Sequence, residues 1–169
     1  GCEQFDDGQC ISPEMDGFVK VEVGVSHSCG IDASGNSTCW GRNSFGESEV
    51  PSDTNFETLG LGHIHTCGTT SEKEVICWGC DGGPEADLGQ CSIPTLEESN
   101  VIFVDGGTGH SCILDEQGKI TCWGCGDAWR WDLGQCASPL HSRFSPLFSL
   151  TIRTDNFVGQ FCISKFLKP

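Results

Sequence analysis

The sequence predicts an all-β fold, a β-propeller-like repeat array of about four blades stapled by disulfides. Three observations lead there. A unit with the same signatures recurs three times, at spacings of 38 and 45 residues between matching cysteines. Each unit carries two cysteines ten residues apart. Apolar residues alternate before the first of them, as in strands with one face buried. Repeats of this length suit a propeller blade of three or four short strands.

The units align without strain. Phe18 to Cys29, Phe56 to Cys67 and Val101 to Cys112 each end in Gly-x-x-His-Ser/Thr-Cys, with His27, His65 and His110 at the histidine. Pro13, Pro51 and Pro94 open the units, and Cys39-Trp40-Gly41, Cys77-Trp78-Gly79 and Cys122-Trp123-Gly124 close them. Phe18, Val19, Val21, Val23 and Val25 read as strand. The stretch from Cys29 to Cys39 reads as a hairpin with Gly35 in its turn; Gly118 serves the third unit, and the second has no glycine there. Cysteines opposite one another on antiparallel strands lie within disulfide reach. Cys29–Cys39, Cys67–Cys77 and Cys112–Cys122 are therefore expected to pair. Each Trp, one residue later, points to the opposite face of its strand.

Beyond Cys-Trp-Gly the second and third units carry five extra residues, flanked by two extra cysteines. A clip across a longer loop removes freedom from the unfolded chain, so Cys80–Cys91 and Cys125–Cys136 are expected as well. Cys77-Trp78-Gly79-Cys80 and Cys122-Trp123-Gly124-Cys125 also have the two-residue spacing of zinc and redox pairs. Each of these cysteines has a better partner, and disulfides are preferred.

Composition fits an oxidising compartment. Thirteen cysteines in 169 residues is about 8%, near the level of disulfide scaffolds. Lys and Arg total 9 against 24 acidic residues, a formal net charge of −15. Such a surface repels phosphate backbones and anionic headgroups, which argues against nucleic acid as a partner. No apolar run reaches the roughly 18 residues of a membrane span, so no membrane insertion is expected. The chain opens at Gly1, and its single methionine is Met15, so a processed product or a fragment is expected.

Gly-x-x-His-Ser/Thr-Cys, then Cys-Trp-Gly, then Asn43-x-x-Gly46-Glu47 or Asp-x-Gly-Gln resembles the propeller repeat of the regulator of chromosome condensation family, especially its cysteine-bearing extracellular variants. The resemblance covers three units across residues 13–139 and implies a propeller that binds other molecules. It departs from the family in size, since members usually have seven blades and this chain has room for about four. The name-giving member activates a small GTPase and touches chromatin, roles that fit neither the acidic balance nor the cystines here. Fold alone does not assign function.

The ends read as halves of one unit. Cys2 to Pro13 repeats the tail Gly-Cys…Asp-x-Gly-Gln-Cys-x-x-Pro, with Cys2–Cys10 as a fourth clip. Pro146 lies 16 residues before Cys162, as Pro13 and Pro51 lie before Cys29 and Cys67, and Gln160-Phe161-Cys162 replaces His-Ser-Cys. Residues 1–169 are expected as one propeller-like domain with units 13–50, 51–93 and 94–145. A split unit, 146–169 plus 1–12, would be completed by both termini or by a neighbouring chain. Cys162 is the odd cysteine and is expected to be unpaired or bonded to another chain.

His27, His65 and His110 could converge on a metal, but repeated residues more simply serve their strands. Asp6, Asp87 and Asp132, with Asp81, Glu85 or Asp127, could supply calcium oxygens, yet no dense Asp-x-Asp-x-Asp loop exists. Ser28 and Ser111 are repeat positions, and no nucleophile elbow occurs. Trp129-Arg130-Trp131 in the third clipped loop has hot-spot composition, with a loop packing on its own blade as the alternative. Asn36-Ser37-Thr38 is a glycosylation acceptor at a hairpin turn. The expected function is a secreted, extracellular, non-catalytic binding or structural module without cofactor. It would take a protein or glycan partner, or self-assemble through the terminal half-blade. A metal-dependent or hydrolytic enzyme on the same scaffold is the alternative.

Overall fold

The computed structural model describes residues 6–83, 87–96, 100–126 and 134–136, and the backbone of 152–154 and 161–163. Three antiparallel three-stranded meanders follow one another. The first comprises β1 (Phe18–Val23), β2 (His27–Asp32) and β3 (Ser37–Gly41). The second comprises β4 (Phe56–Leu61), β5 (Thr66–Thr70) and β6 (Val75–Trp78). The third comprises β7 (Val101–Gly106), β8 (His110–Asp115) and β9 (Ile120–Gly124). A two-stranded sheet, β10 (Ile152–Thr154) with β11 (Phe161–Ile163), comes last. This is the predicted all-β, propeller-type repeat array.

Register repeats with the sequence. Cys29, Cys67 and Cys112 face Cys39, Cys77 and Cys122 directly across the central and outer strands. All three pairs are bonded, with Cα atoms 4.0–4.1 Å apart. Cys80–Cys91 and Cys125–Cys136 are bonded too, across wider Cα separations of 6.2 and 6.4 Å. Cys10 is disulfide-bonded as well, whereas Cys2 lies outside the described residues. The first unit has no clip cysteines and a shorter loop. There the Ser48 hydroxyl donates to the Arg42 carbonyl at 2.7 Å, between the positions that Cys80 and Cys91 hold in the second unit.

Hairpin chemistry follows the expected turns. Gly35 and Gly118 adopt positive φ, 86° and 79°. In the second unit Lys73 takes that conformation, at φ 67°, a cost the cross-strand cystine holds in place. One feature escaped the pattern: each first strand has a bulge at the same place, Phe18/Lys20, Phe56/Thr58 and Val101/Phe103.

Each blade has a cystine face and a tryptophan face, and neighbouring blades stack one on the other. Cys29 and Ile31, with Cys39 and Val50, pack on Phe56, Leu59, Leu61 and Trp78 of the second blade. Cys67, with Val75 and Cys77, packs on Val101, Val104, Ile113 and Trp123 of the third. Burying a Phe or Leu side chain is worth about 1.5–3 kcal/mol, so these two interfaces carry the core. Within a blade, size is traded across the sheet. A Cβ on Gly68 would lie 2.3 Å from the Phe56 ring and one on Gly30 2.6 Å from Phe18, while the third blade has the smaller Val101 and, in place of the glycine, Ile113 in one buried cluster.

The first strands also approach one another. A Cβ on Gly60 would sit 2.3 Å from the Cα of Asp105 in the next blade. No side chain fits between those backbones. Gly60→Ala is expected to cost about 1–3 kcal/mol through overpacking, read as a lower urea midpoint by tryptophan fluorescence. An unchanged midpoint would show that the blades do not meet there.

Candidate functional site

The histidines, hydroxyls and tryptophans that mark the repeat are used between blades. The Trp78 indole N–H donates to the Glu47 carbonyl at 3.2 Å, and the Thr66 hydroxyl donates to the same oxygen at 2.9 Å. Trp123 and Ser111 hold the Gln90 carbonyl at 2.9 and 3.0 Å, and Trp40 and Ser28 hold that of Gln9 at 2.9 and 3.1 Å. The turn leaving one unit is thus clamped by the next blade. Residue 9, at the end of the tail that precedes the first blade, sits in that blade's clamp.

The histidine of the preceding blade completes the arrangement. His27 Nε2 lies 2.8 Å from Thr66 Oγ1, and His65 Nε2 lies 3.0 Å from Ser111 Oγ. Each hydroxyl spends its proton on a carbonyl, so each imidazole donates through Nε2–H and carries no proton on Nδ1. Both Nδ1 atoms are buried without a hydrogen-bond partner. Burial lowers the His27 pKa to about 4, against a smaller opposing pull from Glu47. Burial, then His110 and His27, lower that of His65 to about 3. Neutral, committed imidazoles serve as struts between blades. Among the described residues no group of three His, Cys, Asp or Glu is placed to hold a metal ion.

The remaining repeat polar groups shape the clamped turn. Gln9, Glu47 and Gln90 accept through the side chain from the backbone N–H two residues earlier, at 2.6–2.7 Å. Asp6 and Asp87 accept from Gly8 and Gly89 N–H at 2.8 Å, an Asx turn. These two carboxylates form turns; Glu85, Asp127 and Asp132 lie outside the described residues. Glu47 is fully buried where the other units have Gln, and Arg42 Nε stands 3.6 Å from it. The glycine of each Cys-Trp-Gly has positive φ, 99°, 84° and 95° at Gly41, Gly79 and Gly124. A Cβ there would come within 2.5–2.7 Å of backbone.

Open surface lies between hairpins and unit linkers. A groove of about 500 Å³ is lined by Asn36, Ser37, Val50, Pro51 and Asn55, among others. A groove of about 620 Å³ stands at the same repeat positions one blade on, lined by Glu74, Val75, Ile93, Pro94 and Asn100. The frame is shared and the lining differs: Asp53 and Thr54 in one, Glu72, Lys73 and Leu96 in the other. The unit-opening prolines were read from sequence, but the groove was not, because it forms only when two blades stack. Asn36 is exposed on its rim, and its amide donates to Asp32 Oδ2 at 2.8 Å. Trp129, Arg130 and Trp131 lie outside the described residues. Cys162 is placed only by its backbone, in β11.

The model of the Regulator of chromosome condensation (RCC1) repeat matches residues 18–47 and 101–128. No curated protein sequence matches the chain. Among solved structures, the ectodomain of receptor kinase CR4 from Physcomitrella patens is 24% identical, with TM-score 0.53 over 63% of this chain and 29% of that one. Prp20p from Saccharomyces cerevisiae is 16% identical, with TM-score 0.57 over 68% and 33%. Human WBSCR16 is 15% identical, with TM-score 0.55 over 67% and 34%. The chain spans about a third of the length of these structures, and at such identities the likeness is one of fold.

The histidine struts predict a pH dependence. Their folded pKa values lie below the unfolded value near 6.5, so between the two the unfolded chain binds more protons and stability rises with pH. Asp105 opposes this. Burial raises its pKa to about 7, against a Gly106 N–H and with a contribution from Glu22, so its stabilising effect is present at low pH and lost as pH rises through 7. Burial also lowers the His63 pKa and raises that of Glu22, so with three histidines against two carboxyls the urea midpoint is expected to fall from pH 6.5 to pH 5, and less steeply in His65→Gln. A flat or inverted profile would contradict the struts.

Proposed function

We propose, on the premise that this chain is built of Regulator of chromosome condensation (RCC1) repeats, that it is a non-catalytic extracellular module recognising a protein or glycan through the grooves between its blades. The observation that carries this reading is the recurrence of one groove on a fixed frame with a changed lining. A rigid scaffold presenting variable surface is the arrangement that binding loops need. The polar residues that recur in every unit are engaged in clamps and turns, which leaves chemistry to the positions that vary.

Supporting observations point the same way. Five cystines join described residues, and such density belongs to oxidising compartments. One structural neighbour is a receptor-kinase ectodomain, and another, Prp20p, has binding properties toward Gsp1p and histones. The net charge of −15 favours a neutral or basic partner surface over nucleic acid. A glycan on Asn36 would occupy the first groove and leave the second for the partner.

Interferometry of the oxidised chain against panels of secreted proteins and glycans tests this. A ligand of the second groove is expected to lose about tenfold or more in affinity with Glu74→Lys and to be insensitive to Asp16→Lys. Binding that survives both, or stoichiometric zinc with hydrolytic turnover, would overturn the reading.

A further inference from the structure

In the second hairpin a carboxylate has moved from the turn to the rim of a groove. In the first and third units the last residue of the central strand is an aspartate. Asp32 accepts the backbone N–H of Asn36 at 3.0 Å, and Asp115 that of Lys119 at 2.8 Å. The second unit ends that strand in Thr70, whose hydroxyl oxygen accepts from Glu74 N–H at 3.3 Å. Asn36, Glu74 and Lys119 are therefore one position of the repeat, carrying an amide, a carboxylate and an ammonium on the same backbone. In the first unit the side chain is tied down, since the Asn36 amide donates to Asp32 Oδ2. Glu74 has no such anchor. Its carboxylate and that of Glu72 are exposed and have no partner among the described residues. The hairpin forms with any of the three groups, so the fold does not require a negative charge there.

Both carboxylates belong to the second groove. Lys73 between them is the one cation among its lining residues, and its ammonium is spent on Glu57 Oε2 at 2.6 Å. The remaining wall is aliphatic, with Val75, Ile93, Pro94 and Leu96 half-buried. At the matching positions the first groove has Asn36 for Glu74, Ser37 for Val75 and Asp53 for Leu96. One groove is thus polar throughout, and the other sets two unpaired carboxylates beside an apolar wall.

That pairing selects among ligands. A neutral glycan would leave both carboxylates unpaired, and no aromatic ring among the lining residues offers it a stacking face. A purely aliphatic side chain would cover the wall but draw the carboxylates out of water without compensation. A long basic side chain satisfies both, its stem on the apolar wall and its charged head at the rim. Of the two such side chains, arginine has the planar fork that can meet two carboxylates and is the more weakly hydrated. The net charge of −15 draws a basic partner in.

We propose that the second groove binds an arginine side chain, flanked by aliphatic residues, on a peptide segment of a protein partner. Its stem lies on Val75, Ile93 and Leu96, and its guanidinium stands between Glu72 and Glu74. The proposal rests on the reading of the grooves as recognition surfaces and specifies what the second one takes.

Proton–nitrogen correlation spectra of the isotope-labelled oxidised chain, titrated with the peptide acetyl-Leu-Arg-Leu-amide, test it. The Leu-Lys-Leu and Leu-Glu-Leu analogues and chitotetraose serve as the other probes. The arginine peptide is expected to shift the amides of residues 72–75, Ile93 and Leu96 saturably, with a Kd of about 1 mM. The lysine analogue should bind about threefold or more weakly, and the glutamate analogue and chitotetraose should not saturate there. Glu72→Gln with Glu74→Gln should weaken the arginine peptide about tenfold, whereas Asp16→Lys should leave it unchanged. Equal binding of the glutamate analogue, saturation of this groove by chitotetraose, or no saturable shift up to about 20 mM arginine peptide would overturn the arginine assignment. If a secreted ligand still loses affinity with Glu74→Lys, only that assignment falls; if every ligand ignores Glu74→Lys, the groove reading falls with it.

Discussion

A single main-chain carbonyl in the turn that leaves each unit, gripped by two side chains of the next blade, is the contact on which this architecture depends. An indole and a hydroxyl donate to it, and the hydroxyl in turn accepts a hydrogen bond from the histidine of the blade before. Three chain segments are thus joined in one chain of hydrogen bonds. Cystines fix each hairpin from within, but a hairpin so fixed could still swing against its neighbour. The clamp sets the angle between blades and makes a row of small sheets into one body. Its histidines and hydroxyls are buried, so their hydrogen bonds are costly to leave unmade.

The consequences reach the surface. Because the turn is pinned, the linker after it enters the next blade along one path, and a groove opens between that path and the hairpin. Its walls are the residues the clamp does not use, so they are free to differ from blade to blade. The first unit shows the same freedom in its loop, where Ser48 and Arg42 replace a disulfide with a hydrogen bond. Residues that hold the blades together and residues that line the grooves occupy different positions within the repeat.

Much of this could be read from the chain itself. The cystine pairs followed from a ten-residue spacing across hairpins, and the face on which each Trp lies followed from strand alternation. Histidine, hydroxyl, tryptophan and Gly-Gln/Glu were each visible as repeats, but their meeting was not. They come from different units and converge only after stacking, so no spacing within one unit reports it. The bulge at Phe18/Lys20 was equally hidden, since it inserts a residue without altering the composition of the strand. The exchange of Phe56 over Gly68 for Val101 against Ile113 becomes intelligible only as a filled volume. The grooves escaped for the reason the clamp did.

The clamp is tested most directly by the imidazole protons. Long-range proton–nitrogen spectra of the oxidised chain near pH 6 are predicted to show His27 and His65 as neutral Nε2–H tautomers with slowly exchanging protons. In Thr66→Val the His27 proton should exchange rapidly while that of His65 is unchanged, because only the first of the two inter-blade bonds has lost its acceptor. Nδ1–H tautomers, a His27 that titrates near 6.5, or a His27 signal indifferent to Thr66→Val would contradict the central claim.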